Sequence, residues 1–251
     1  QQQYAEAIEY FDRALEIEPS YIVVLYRKGY ALSTIKGKEG QALTTFERCR
    51  EAFQALPEGD AKERERKRYA DACYQQGKLF LKVGNRRLAE DRLLEAADLK
   101  GDDPDVHYAL GKTFLETERF EEAIDSLNTA QRLSRRPQHY ILDFLARAYA
   151  GAGQLQEALR VYEQMSSAIR SRPYILRNMG DVYIQLEQWD RAEQILREAV
   201  NREHRNHNGH YRLGMVYQRL CKWAEAAREF RTAIELRQRH YNVPFPEAEE
   251  A

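Results

Sequence analysis

The chain has 251 residues, 31% of them charged and 43% hydrophobic, with only seven prolines, a balance expected of one large or two small helix-rich globular domains. Its net charge of −1 offers no general attraction to nucleic acid or to anionic membranes. The longest strongly apolar run, Tyr21 to Tyr26, falls far short of the roughly 18 residues that a membrane-spanning helix needs, and the start has none of the features of a secretory signal.

The chain opens already inside a helical pattern, QQQYAEAIEYFDRAL, in which Ala7, Phe11 and Ala14 share a face and Pro19 follows. Residues 1–21 are therefore expected to be one half of a helical pair, in a fragment of a longer protein. Residues 22–56 predict a complete pair, with Gly29 and Leu32 in its first helix and Ala42, Phe46 and Cys49 in its second. A charged stretch, PEGDAKERERKRY, then occupies about 57–69. Asp60 and Glu63 have the spacing of a capping box, and the alternating Glu, Lys and Arg can pair at i,i+4. This stretch is expected to be helical and to lengthen a neighbouring helix.

Five units of one layout follow, over about 70–103, 104–138, 139–172, 173–206 and 207–240. Gly77, Gly111, Ala146, Gly180 and Gly214 stand 34 or 35 residues apart. An aromatic comes three residues after each: Phe80, Phe114, Tyr149, Tyr183, Tyr217. Alanine comes twelve after each: Ala89, Ala123, Ala158, Ala192, Ala226. Four further on stands a large side chain (Leu93, Leu127, Tyr162, Leu196, Phe230), and three beyond that Ala96, Ala130, Met165, Ala199 and Ala233. Each unit divides around a short polar turn such as ETER, GAGQ, LEQ or RLCK, so each predicts a helical hairpin. A glycine inside a helix costs about 1 kcal/mol relative to alanine. Close approach of the two helices explains why it is there. The tail, 241–251, leaves the pattern, and its two prolines predict an extended or disordered end.

These columns resemble the tetratricopeptide repeat, whose 34-residue unit places small, aromatic, alanine, large and alanine residues in this order. Pro19, Pro104, Pro137 and Pro173 match its boundary proline, while Leu25, Cys73, His107, Leu142, Leu176 and His210 replace its tryptophan. The resemblance implies an all-α fold, a right-handed α-solenoid or superhelix of stacked antiparallel helical hairpins. It further implies a concave groove lined by the first helix of each unit.

On that face the resemblance places Tyr26, Tyr74, Tyr108 and Tyr211 in one column, and Tyr30, Lys78, Lys112 and Arg147 in another. Tyr174, Arg177, Asn178 and Arg212 complete the candidate partner-binding set. Tyrosine gives rigid contact area and a hydroxyl, and spaced cations suit a ligand with carboxylates. The expected partner is another protein or a peptide segment, acidic or aromatic in character, held by a non-enzymatic scaffold. The same residues have a plainer reading: the tyrosines cover neighbouring apolar surface, and the cations pair with Asp71, Asp105 and Asp143. Self-assembly into dimers or filaments is a second reading of function. Binding of single-stranded RNA is a third, disfavoured by the aspartates on the same face. Some family members bind chaperone tails through a two-carboxylate clamp. Asn178 and Arg212 match two of its positions, but Asp143, Arg147 and Asn208 replace the rest, and Asp143 would repel a terminal carboxylate. That activity is not expected here.

Nothing in the chain has the pattern of a nucleophile motif or a glycine-rich phosphate loop, so no catalytic residue, cofactor or small-molecule substrate is expected. His204, His207 and His210 are spaced three apart but span a unit boundary, where a polar loop is expected in place of a metal site. Cys49, Cys73 and Cys221 show no C-x-x-C spacing. Incidental thiols in a reducing compartment, the cytoplasm, are the expectation.

Overall fold

The columns of small residues and the polar turns between them translate into fourteen helices, with no strand among the described residues. The computed structural model describes residues 2–136 and 138–241. Pro137 and residues 242–251, the greater part of the expected tail, lie outside them. The chain divides into two units, Gln1–Arg136 and Pro137–Ala251.

The first unit contains α1 (Gln2–Ile17), α2 (Ile22–Ser33), α3 (Glu39–Gln54), α4 (Asp60–Lys82), α5 (Arg86–Leu99), α6 (Pro104–Glu116) and α7 (Phe120–Leu133). Hairpins α2/α3, α4/α5 and α6/α7 stack in order: α4 packs on both α2 and α3, α6 packs on α5 and α4, and α1 packs on α2. The second unit contains α8 (His139–Gly151), α9 (Leu155–Glu163), the four-residue α10 (Ser167–Arg170), α11 (Pro173–Gln185), α12 (Trp189–Arg202), α13 (His207–Arg219) and α14 (Trp223–Tyr241). Here α8/α9, α11/α12 and α13/α14 are the hairpins, with α11 on α8 and α9 and α13 on α12 and α11. The all-α class of stacked antiparallel hairpins is borne out within each unit. Helix α14 continues through Tyr241, one residue further than the periodicity suggests.

The core is made of the repeating columns. Ala89, Leu93, Ala123, Leu127, Ala158, Tyr162, Ala192 and Leu196 have no exposed surface at all, and each fully buried large side chain contributes roughly 1.5–3 kcal/mol. Gly111 shows why a small residue faces them. A Cβ built there would lie 3.2 Å from the Ala123 carbonyl oxygen and closer still to Leu127. Helix starts are set locally: the Asp103 side chain accepts the Asp105 amide ahead of Pro104, and Asn206 accepts the amides of Asn208 and Gly209. Both satisfy amides that have no partner within the helix. Among the described residues no helix is long and apolar enough to cross a membrane.

Helix α4, at 23 residues, absorbs most of the charged stretch. The capping box does not form. Gly59, with φ +138°, turns the chain one residue early, and its carbonyl accepts the Glu63 amide at 3.1 Å. Asp60 is thus the first helical residue, where its charge still offsets the positive helix end. The added turns are held by Tyr69, which stacks on Phe53 with centroids 4.2 Å apart and donates its hydroxyl proton to Glu95.

Candidate functional site

The three first helices of the Gln1–Arg136 unit carry six of the residues picked out from the sequence. Tyr26 and Tyr30 lie on α2, Tyr74 and Lys78 on α4, and Tyr108 and Lys112 on α6. Tyr30 is exposed, and Tyr26, Tyr74 and Tyr108 are partly so. Burial, reinforced by the nearby charge of Asp71, pushes the Tyr26 hydroxyl above its usual pKa.

Between α4 and α6 the structure opens a cleft of about 380 Å³ lined by Tyr74, Lys78, Leu81, Lys82, Tyr108, Ala109, Lys112 and Glu116. Four residues of the sequence-derived set therefore meet in one concavity. Lys82 and Glu116, which sequence reasoning did not single out, stand one helical turn beyond Lys78 and Lys112. The i,i+4 rule applied to those two lysines would have found them. The amine of Lys78 sits over the Tyr74 ring, 5.0 Å from its centroid. Lys82 donates to Glu39 at 2.8 Å, and Lys112 approaches Glu116 at 3.8 Å. The Asp71 carboxylate, the expected partner of a groove cation, is taken by Lys100 at 3.3 Å.

In the Pro137–Ala251 unit the candidate residues are differently placed. Arg147 on α8 lies over the Phe144 ring, 4.7 Å from its centroid. On α11, Tyr174 is half-buried, Arg177 pairs with Glu203, and Asn178 donates to Asp143 Oδ1 at 2.9 Å. On α13, Arg212 pairs with Asp181, and the Tyr211 ring is tilted against Phe230 with centroids 5.8 Å apart. Asp143 is buried, and burial raises its pKa despite the Asn178 bond and the charge of Arg147. A smaller hollow of about 260 Å³ is walled by Ile184, Trp189, Tyr211, Met215, Arg219 and Phe230 among others, so a single cation lines it where three lysines line the α4–α6 cleft. Arg177, Asn178 and Arg212 thus already hold partners within the chain.

The histidine run resolves into a structural contact. His210 Nδ1 lies 2.6 Å from Glu229, and Nε2 lies 2.9 Å from the His204 carbonyl oxygen. His107, one of the two histidines in the family's tryptophan column, reaches the Gly101 carbonyl over the same six-residue interval, at 2.9 Å. Among the described residues no group of three or more His, Cys, Asp or Glu side chains is arranged to hold a metal ion. Cys49 and Cys73 are buried free thiols, each pushed up to about 12 chiefly by burial. At that value neither provides a thiolate nucleophile near neutral pH.

Residues 108–248 match the family model described as the coatomer epsilon subunit, and residues 74–138 and 1–21 match two tetratricopeptide repeat models. The BBSome complex member BBS4 of Bos taurus is 25% identical over 138 residues, 55% of this chain and 26% of that protein. The chain thus spans about a quarter of the length of this curated relative. Among solved structures, the C-terminal part of a tetratricopeptide repeat protein from Cytophaga hutchinsonii matches 99% of this chain and 94% of its own, with TM-score 0.67 and 14% identity. YrrB, described as a tetratricopeptide repeat protein with an unusual peptide-binding site, matches over 68% of this chain and 88% of its own, with TM-score 0.54 and 16% identity. At these identities the structural likeness concerns the fold alone.

Proposed function

The chain belongs to the tetratricopeptide repeat family and, through residues 108–248, to that of the coatomer epsilon subunit, and on that premise we propose that it is a non-enzymatic scaffold holding a segment of another protein on the face made by its first helices. The observation that carries this reading is the α4–α6 cleft, where Tyr74, Tyr108, Lys78 and Lys112 converge. These positions lie outside the repeating columns that build the core, and together they line one open cleft. Two of the matched proteins are named for assemblies, a coatomer subunit and a BBSome member, and a third for a peptide-binding site. Each of those names is consistent with a scaffold. The Cys49 and Cys73 thiols are buried and pushed up to about 12, which favours a scaffold without thiol chemistry at those two positions.

The test compares two baits, the native chain and the combined variant Tyr74→Ala, Tyr108→Ala and Lys112→Ala. The variant is expected to lose the captured protein while its helicity and melting temperature hold. Capture that survives in the variant would move the site off this cleft.

A second reading, self-assembly, is favoured by α1, on which Tyr10 is 68% and Ile17 88% exposed. Light scattering over a range of concentrations separates the two: a mass that stays monomeric throughout removes the second.

A further inference from the structure

The three lysines of the α4–α6 cleft are not equivalent. Lys82 already donates to Glu39 at 2.8 Å. Lys112 reaches Glu116 only at 3.8 Å, beyond hydrogen-bond range. Lys78, among the described residues, has no carboxylate within ion-pair distance, and its amine lies over the Tyr74 ring. Two cations with no carboxylate in hydrogen-bond range among the described residues therefore line one cleft.

They are also arranged as a repeat. In α4 and again in α6, a tyrosine is followed four residues later by a lysine: Tyr74 with Lys78, Tyr108 with Lys112. Residues four apart share one helix face, so each helix presents an aromatic surface beside an ammonium group. Packed helix axes lie about 8–10 Å apart, and side chains two residues apart on an extended chain lie about 7 Å apart. Lysines of ordinary reach can therefore serve successive acidic side chains of a single strand. A clamp for one terminal carboxylate would instead need donors converging on one point.

Resting on the scaffold reading above, we propose that this cleft takes an internal, extended, acidic segment of the partner protein, with carboxylates on Lys78 and Lys112 and an apolar or aromatic side chain against Tyr74 and Tyr108.

The probe is a fluorescein-labelled peptide alternating Glu with Phe and Leu, amidated at its carboxyl end, titrated with the whole chain and read by anisotropy. The comparison ligands are its Gln counterpart, its free-acid form and labelled oligouridylate. The acidic peptide is expected to bind with an affinity that falls as salt rises, and equally well with or without the amide. Joint Lys78→Glu and Lys112→Glu substitution is expected to weaken it by about tenfold or more. Lys67→Glu changes the net charge by the same step per residue but lies outside the cleft, and is expected to leave binding unchanged, as circular dichroism is for every variant. The proposal is overturned if the Gln peptide binds equally, if only the free acid binds, if oligouridylate binds in its place, or if no peptide binds. A Gln peptide that binds and is lost with Tyr74→Ala would overturn the acidic preference while keeping the cleft as the site. The bait comparison above decides the scaffold reading separately.

Discussion

Gly111 on α6 faces Leu127 on α7 so closely that a Cβ on the glycine would fall 2.5 Å from Leu127 Cγ. Alanine is the better helix former by about 1 kcal/mol, yet the space for its methyl group is occupied. Gly111→Ala is expected to destabilise the chain by about 1–3 kcal/mol through overpacking, and Gly111→Leu by more. Combining Leu127→Ala with Gly111→Ala should cost less than the sum of the two single losses, because the two side chains compete for one volume. Thermal melts of the two single variants and the pair measure this directly. Additive losses in the pair would deny the contact.

Each first helix from α4 onward ends at a residue in the left-handed region: Gly84, Glu118, Gly153, Glu187 and Cys221, with φ between 56° and 81°. The next amide then bonds back to the carbonyl of the column aromatic, Arg119 to Phe114 at 2.9 Å and Gln188 to Tyr183 at 2.9 Å, as in a Schellman ending. Glutamate in this region carries a penalty of about 1–2 kcal/mol, whereas glycine carries none but loses about 0.5–1 kcal/mol in chain entropy. Glu118→Gly and Glu187→Gly should each raise stability by about 0.5 kcal/mol, and Gly153→Ala should lower it by about 1 kcal/mol. Urea titrations of the three variants check the signs.

The hairpins were legible in the sequence because their contacts recur. Gly111 meets Leu127 sixteen residues on, and Gly180 meets Leu196 at the same interval, so one constraint leaves the same mark in unit after unit. The turn column was half visible. Gly84 and Gly153 announce the left-handed site, but Glu118, Glu187 and Cys221 occupy it at a modest energy cost and hide it. The surface was harder to read. Whether Lys78 or Arg177 is left for a ligand depends on contacts such as that of Glu203, just past the end of α12, with Arg177, a contact with no period. Asn178 and Arg212 fit a binding motif by position, yet their hydrogen bonds go to Asp143 and Asp181.

Asn178 is consequently expected to matter for stability. Asp143 is buried and accepts from Asn178 at 2.9 Å and more weakly from the Tyr162 hydroxyl at 3.4 Å. Burial already raises its pKa, and removing the amide leaves a carboxylate short of a donor. Asn178→Ala should cost about 1–3 kcal/mol, with less effect in acid, where Asp143 is protonated. An unchanged urea midpoint at neutral pH would return Asn178 to the set of ligand-binding candidates.

His210 supplies the pH-dependent counterpart. Its two ring nitrogens face the Glu229 carboxylate and the His204 carbonyl oxygen, both acceptors, so both contacts are hydrogen bonds only when the ring carries both protons. Burial works against that charge, but the bonds to Glu229 and His204 outweigh it and raise the folded pKa above the usual histidine value. A raised folded value means that the stabilisation is fully present below the unfolded pKa of about 6.5. It is lost as pH climbs through the folded value. Chemical denaturation between pH ~5.5 and ~8.5 should therefore show a decline in stability for the native chain. His210→Gln should remove that component, and so should Glu229→Gln, which takes away the charged acceptor. If both variants keep the native slope across this window, the histidine is neutral in the folded state and one of its two contacts is no hydrogen bond.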